Sequence, residues 1–433
     1  MKNISLMNKE KQRGRQHCLS VGRIIFIGIA ILTVLLNVFA WNSTVFSNAY
    51  ITYIFPIWVN TYGRFTGLFS FSVGEWLIVA GIILVLVAAA LLVAAVIVWI
   101  IFYVRRSRVL KGGKEQPQKV QPEGIQGLGA YGKWKLFLKG FYRFFAWTLL
   151  IVALIMTLNC FILYHASPFS QKYFGESKGE YSLEELLLVR NYVVEQCNSL
   201  SLKMNRAEDG SIVYTGSTLK NGEVGNMGEK AVELMQNLER TYSQLDGYYP
   251  IPKPLRCSDF MCQQYMQGYY FPFSMEANYN DVMYVMNIPA TMCHELAHLR
   301  GYIFEDEANF ISYLACVESE DDFFRYSGYL SVLNYLENDL YRASQKNPKA
   351  FQEAVLKIPL VSVLPQVHQD NIFVTEEEWE RINRKAILST EVVDKAADAF
   401  IDTTLKVNGV SDGKLSYNRV VELLLQYYEW HDW

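Results

Sequence analysis

Charge is what this sequence withholds most selectively. Over 433 residues, 40 Lys and Arg stand against 43 Asp and Glu, a formal net charge of −3. So even a balance gives no reason to expect a nucleic-acid partner. Locally the absence is sharper: residues 24–41, 77–104 and 144–164 contain no charged side chain at all. A run of about 20 such residues crosses the hydrocarbon layer of a bilayer, so three transmembrane helices are expected. The second run exceeds that length, which permits tilt or a projecting end. The runs also lack the embedded ionisable groups that a transport path needs, which counts against a transporter. No Ala-x-Ala-like cleavage site follows the first run, and it is long for a signal peptide, so it reads as a retained anchor.

Lysine and arginine are nearly absent from residues 42–76, where only Arg64 and Glu75 are charged. Residues 1–23, by contrast, carry Lys2, Lys9, Lys11, Arg13, Arg15 and Arg23, and residues 105–143 are also strongly basic. Basic segments stay in the cytoplasm, so both of these are expected there, with 42–76 and everything after about His165 outside. The organisation expected is a basic N-terminus (1–23), a membrane region (24–164) with a cytoplasmic linker (105–143), and an extracytoplasmic domain (165–433). This describes a multi-pass protein of the cell membrane, with the lipid bilayer as one partner. The outer loop is rich in aromatics, Tyr50, Tyr53, Phe55, Trp58, Tyr62 and Phe65. It reads either as an amphipathic helix lying flat beneath the outer domain or as a loop with anchoring aromatics. Lys111 to Gly132, with its Gly, Gln and Pro, reads as a flexible linker whose basic charge meets lipid headgroups.

Strand signals are few in the outer domain, and no internal repeat is present. Ser182-Leu183-Glu184-Glu185 has the form of a capping box opening a helix to about Lys203, and Thr375-Glu376-Glu377-Glu378 opens another. Further helices are expected at about 226–245, 321–345, 348–357, 390–407 and 417–429. Strands are expected at Ser211 to Thr215, Gly268 to Met275 and Val282 to Asn287. Cys257 and Cys262 could close a disulfide across a short loop, as an outside location allows. Cys293 and Cys316 read as core residues.

Histidine is scarce, with six in the chain, yet two of them fall four apart in Cys293-His294-Glu295-Leu296-Ala297-His298. On a helix His294 and His298 share a face and can place two imidazole nitrogens on one metal ion. Glu295 is then in position to take a proton from a water that the metal activates. Pro289 suits a first helical turn and Gly301 a stop, so the helix should run from about Pro289 to Arg300. A catalytic zinc has three protein ligands, and the nearest further candidates are Glu305 and Glu307. Glu305 and Asn309 lie at i, i+4 on the next helical stretch. That pattern favours Glu305 as the ligand and Asn309 as a residue that orients a histidine ring, with Glu307 remaining the other candidate. His165, His368 and His431 have no ligand spacing.

This pattern resembles the gluzincin group of zinc metallopeptidases, in which HExxH is followed by a second helix bearing Glu-x-x-x-Asp. Carried over by position, the resemblance implies Glu305 as third ligand, with Asn309 in the place of the aspartate. The interval from His298 to Glu305 is short for that group, and the glycine three residues after His298 is similar to the metzincin turn. Residues 271–280 (Phe-Pro-Phe-Ser-Met-Glu-Ala-Asn-Tyr-Asn), the motif itself and Tyr326-Ser327-Gly328-Tyr329 together resemble an uncharacterised bacterial membrane-protein family, domain of unknown function 3810. That family is grouped with zinc metallopeptidases on the strength of the motif. The resemblance implies a substrate edge strand within Gly268 to Asn278, with Phe273, Ser274, Glu276 and Asn278 on it, although an ordinary buried hairpin is the other reading. It also makes Tyr326, Tyr329 and Tyr417 candidate oxyanion donors.

The expected fold is three N-terminal transmembrane helices followed by a mainly α (α+β) zincin-like metallopeptidase domain with a small β edge. The expected function is hydrolysis of peptide bonds in envelope or secreted proteins and peptides, with Zn2+ as cofactor and a peptide or protein as substrate. A zinc-binding envelope sensor or scaffold without proteolysis is the alternative.

Overall fold

A computed structural model of the chain describes residues 21–111, 123–175, 181–408, 410 and 419–430. Two compact units divide it: Met1–Phe39 with Val79–Thr157, and Ala40–Ile78 with Leu158–Trp433. The first unit is built from the apolar helices α1 (Val21–Asn42), α2 (Val73–Lys111) and α3 (Glu123–Met156). Three stretches, Val21–Asn42, Val73–Val104 and Tyr131–His165, are long and apolar enough to cross a membrane. Their surface is apolar too: Val34, Leu86 and Val93 are each about three-fifths exposed. Within this unit Phe26 meets Trp147 edge to face at 5.1 Å, and Asn37 donates to the Thr157 hydroxyl at 2.8 Å.

The second unit is mainly helical, with α4 (Leu183–Ser201), α5 (Met227–Leu238), α6 (Ile288–His298), α7 (Glu305–Val317), α8 (Asp322–Lys346), α9 (Pro348–Lys357), α10 (Glu376–Lys385), α11 (Thr390–Val407) and α12 (Val420–Trp430). Its starts follow from local chemistry. Ser182 and Glu185 form a reciprocal capping box on α4, and Asn226 with Glu229 forms another on α5, each satisfying backbone donors that a helix start leaves orphaned. Around α6 the core is closed by α7 and α8, and α7 in turn packs against α12. Tyr313, Tyr326, Phe310 and Phe324 are among its largest fully buried side chains.

Two small sheets complete this unit: β1 (Ser217–Thr218) with β2 (Val224–Gly225), and a three-stranded sheet in the order β3 (Lys253–Pro254), β5 (Glu276–Tyr279), β4 (Gly268–Phe271). The β4–β5 hairpin pairs Gly268 with Tyr279 and Phe271 with Glu276, whereas β3 runs parallel to β5. Three strand expectations need correction. Ser211 to Thr215 contributes only one isolated bridge, Arg206 to Ile212. The expected strand 268–275 ends at Phe271, because residues 272–275 turn, with Met275 at φ +53°. Val285–Asn287 is a 3-10 turn leading into α6.

The disulfide that Cys257 and Cys262 could close is not formed, and both thiols are free. Cys257 caps the start of a short helix that Cys262 ends; five helical steps of about 100° point the two side chains well apart. Cys262 is buried and accepts from the Asn280 amide at 3.1 Å. Cys293 and Cys316 are core residues as expected, both fully buried.

The aromatic stretch after α1 is helical and belongs to the second unit, alternating α and π turns from Thr44 to Thr66. Ser47, Ile51, Phe55, Val59 and Gly63 are its buried side. Positions four apart drift by about 40° per step around an α-helix, so the wider π turns are what hold this stripe on one face. The segment ends at a buried ion pair. Glu276 lies 2.5 Å from the Lys253 ammonium and accepts the first free backbone donors of α2, Val73 N at 3.1 Å and Gly74 N at 2.8 Å.

Candidate metal centre

Helix α6 carries the two histidines. Its first turn holds Pro289, and the backbone N–H of Ala290 donates to the Ser327 hydroxyl of α8 at 3.1 Å. That hydroxyl donates onward to the Met286 carbonyl, while Ser312 of α7 donates to the Ala290 carbonyl, both at 2.6 Å. Side chains of two neighbouring helices therefore fix where α6 begins. After His298 the chain reverses through Gly301, at φ +90°, a conformation a side chain would strain. A Cβ at Gly301 would also lie 2.8 Å from Ile51. Helix α7 then starts at Glu305, so Glu305, Asp306 and Glu307 all fall in its first turn, where the helix dipole favours acid.

These elements bring His294, His298 and Glu305 together, with one ligand atom of each within 4.8 Å of the others. His294 Nε2 lies 3.1 Å from His298 Nε2 and 3.1 Å from Glu305 Oε2. The opposite ring nitrogens are committed elsewhere. His298 Nδ1 is 2.7 Å from the Tyr302 carbonyl, which can only accept, so Nδ1 carries the hydrogen. His294 Nδ1 is 2.8 Å from Asn309 Oδ1, and the Asn309 amide nitrogen faces the Tyr335 hydroxyl at 3.4 Å. With both Nδ1 atoms protonated in the neutral rings, both Nε2 lone pairs face one small space beside a carboxylate oxygen. Such an arrangement is repulsive without a cation, and His, His, carboxylate is a donor set that suits zinc.

Burial and neighbouring charge act differently on His294, His298 and Glu295. Burial lowers the affinity of His294 for a proton, but Glu305, with Glu295 and Asn309, together raise it above the ordinary histidine value. His298 is pushed down to about 4 by burial and by the neighbouring His294. Glu295 is 4% exposed, and its Oε2 is buried without a hydrogen-bond partner. Burial pushes its pKa up to about 8, opposed by His294 and assisted by Glu305. Space for this side chain depends on Gly268 at the start of β4, where a Cβ would stand 2.7 Å from Glu295 Oε1 and 2.5 Å from the Asn278 carbonyl oxygen.

Other expected site residues lie elsewhere. Glu307 turns away from the histidines and accepts the backbone N–H of Phe169, at the start of the short helix Phe169–Tyr173. Tyr326 donates to Asp370 at 2.8 Å and Tyr329 meets the Tyr192 hydroxyl at 3.3 Å, both in the core. The Tyr-Ser-Gly-Tyr stretch packs α8 against its neighbours. A Cβ at Gly328 would come within 2.6 Å of Cys316 Cβ. Tyr417 lies outside the described residues.

The expected substrate edge also needs correction. Glu276 and Asn278 sit on β5, the central strand, and are buried. Ser274 is buried and donates to Glu276 at 2.6 Å, and Phe273 packs on Phe271 in the turn. Among the described residues the free edge on this side of the sheet belongs to β4. Sequence reasoning missed Tyr335, Gly268 and Tyr270, whose ring centre is 6.1 Å from that of His298. Tyr335 stands seven residues after Gly328 on α8, two turns along the same helix face, and that spacing was a usable signal.

The molecule thus combines three helices long and apolar enough to cross a membrane with a mainly helical domain holding a two-histidine, one-carboxylate cluster. It belongs to the family described as "Protein of unknown function (DUF3810)", whose model matches residues 50–425. No curated protein and no solved structure matches the chain.

Proposed function

We propose that the chain is a membrane-anchored zinc peptidase with its C-terminal domain outside the cytoplasm. The observation that carries the reading is the pair of Nε2 atoms 3.1 Å apart with both Nδ1 atoms held by acceptors and Glu305 alongside. His294, His298 and Glu305 would hold the zinc. When bound, zinc supplies Lewis acidity that polarises a carbonyl and acidifies a water. Asn309 and the Tyr302 carbonyl fix the ring orientation, and Tyr335 fixes the amide of Asn309.

Glu295 Oε2 is the proton acceptor. As water adds to the scissile carbonyl carbon, its proton passes to Glu295; as the C–N bond breaks, that proton passes to the leaving nitrogen. Burial alone raises the Glu295 pKa to about 8; a divalent cation held by His294, His298 and Glu305 would lower it and leave the carboxylate that takes the proton, while burial favours keeping that proton between the two events. The free edge of β4, beside Glu295 at Gly268, suits an extended peptide that adds as a strand. The flanking charge bias, with basic 1–23 and 105–143 and a loop at 42–76 almost without charge, supports an extracytoplasmic domain.

The burial of Glu295 and His298, each 4% exposed, favours a second reading, a closed zinc site with a sensing or scaffolding role. Digestion of a peptide library by the purified full-length protein separates the two. A peptidase gives chelator-sensitive cleavage that Glu295→Gln abolishes while zinc stays bound. Zinc binding without any cleavage establishes the second reading.

A further inference from the structure

The helical segment Thr44–Thr66 has two apolar faces. Its inner stripe, Ser47, Ile51, Phe55, Val59 and Gly63, is buried on the domain. Offset from it by two positions, and so half a turn away, runs an outer stripe with Val45 79% exposed, Tyr53 73%, Ile57 54% and Phe65 61%; Ala49 and Thr61 share this register, the Thr61 hydroxyl donating to the Ile57 carbonyl at 2.6 Å, and Leu68 follows at 79%. The segment's one charged side chain, Arg64, is exposed and lies over the Tyr248 ring at 4.0 Å, one position from the inner stripe. A face of this kind needs an apolar partner, since each large side chain left in water forgoes about 1.5–3 kcal/mol of burial. Position in the chain names that partner. The segment is tied at one end to Val21–Asn42 and at the other to Val73–Val104, both long and apolar enough to cross a membrane.

The inner face leads directly to the metal centre. Ile51 packs against Gly301, where a Cβ would meet it at 2.8 Å, three residues after His298. A second and independent contact comes from the third apolar stretch, Tyr131–His165. Tyr164, one residue from its end, stands edge-on to Phe304 at 5.5 Å, and Phe304 immediately precedes Glu305. Four residues past the end of that stretch, the Phe169 N–H donates to Glu307. The two loops that shape the cluster, Leu299–Phe304 and the first turn of α7, are therefore braced on the segments closest in sequence to the membrane.

We infer that the outer stripe of Thr44–Thr66 rests in the bilayer interface and that the metal centre consequently works at the membrane surface, on polypeptides that are themselves membrane-anchored. The substrate class rests on the peptidase reading above; the seating of the helix does not. A helix with its side chains is about 10–12 Å across, so at least about that thickness separates the centre from the lipid. An extended chain climbs that height in about four residues. Bonds just outside a substrate's own anchor reach the site, and tethering both partners to one surface raises their effective concentration. Soluble peptides lack that advantage.

Two measurements on the full-length, zinc-loaded protein in phosphatidylcholine/phosphatidylglycerol vesicles test the inference. In the first, the photo-crosslinker benzoylphenylalanine replaces Ile57, Phe65 or, as a control on an exposed part of the domain, Val224. Lipid adducts at 57 and 65 but not at 224 are expected. Chain-to-chain crosslinks, or no adduct, at 57 and 65 would show that the face meets a second copy or water and would overturn the seating. In the second, a single-span polypeptide bearing a randomised outer flank is co-reconstituted, and its cut positions are compared with those of the same flank as a free peptide. Cuts should cluster within about five to eight residues of the bilayer, with the free peptide cut roughly tenfold more slowly or worse. Cuts spread evenly along the flank, or equal rates for the free peptide, would overturn the substrate class. No cleavage of either, with zinc bound, would remove the peptidase reading and the substrate class together, while the lipid adducts still decide the seating.

Discussion

Asn309 occupies the position from which an acidic residue would strengthen the hydrogen bond to His294, and its neutrality has a cost in ligand basicity. The amide still fixes the ring, because its oxygen faces His294 Nδ1 and its nitrogen faces the Tyr335 hydroxyl. Removing it by Asn309→Ala should weaken zinc binding roughly ten- to hundredfold without unfolding the domain, as a competitive chelator titration would show. Zinc affinity unchanged by the substitution would mean that the ring is held by packing alone. Gly268 invites an equally direct test. The methyl group of Gly268→Ala would enter space held by Glu295 Oε1 and the Asn278 carbonyl. Turnover should fall at least about tenfold while zinc content is retained; an active Gly268→Ala enzyme would separate Glu295 from the chemistry.

The elements that hold these residues were legible to different degrees, and the reasons are physical. Helices α4, α6 and α8 could be read with nearly correct limits, since caps, Pro289, Gly301 and apolar spacing are local signals. The strands were less accessible, being two to four residues long and defined by partners distant in sequence. Glu276 shows why the substrate edge was misplaced. Alternation marks a strand but says nothing about whether it is central, and the ion pair with Lys253 and the cap on Val73 and Gly74 are long-range contacts. Tyr326 and Tyr329 were likewise drawn toward the site by motif membership, whereas the stretch they belong to positions α6. Ser327 satisfies the Ala290 N–H and the Met286 carbonyl at once. Ser327→Ala should therefore cost about 1–3 kcal/mol, read as a lower midpoint in thermal unfolding, and should lower zinc affinity along with it. A variant as stable as wild type would mean that α6 is placed by its hydrophobic contacts alone.

At the scale of the whole molecule, a His, His, carboxylate cluster whose donor set suits zinc belongs to a chain with three helices long and apolar enough to cross a membrane. The proposed extracytoplasmic placement of the domain rests on the charge pattern. With Val224, three-quarters exposed on the C-terminal unit, replaced by cysteine in a chain whose Cys18 and exposed Cys257 are replaced by serine, a membrane-impermeant maleimide should label the protein in intact cells. Labelling only after lysis would place the domain in the cytoplasm and redirect the search for substrates. The most direct test of the central claim is the zinc content of the purified full-length protein and its single variants. The account predicts stoichiometric zinc in the wild type and in Glu295→Gln and Glu307→Gln, with zinc lost in His294→Ala and His298→Ala and strongly reduced in Glu305→Gln. Zinc retained in full by His294→Ala and Glu305→Gln, or lost from Glu307→Gln instead, would contradict it.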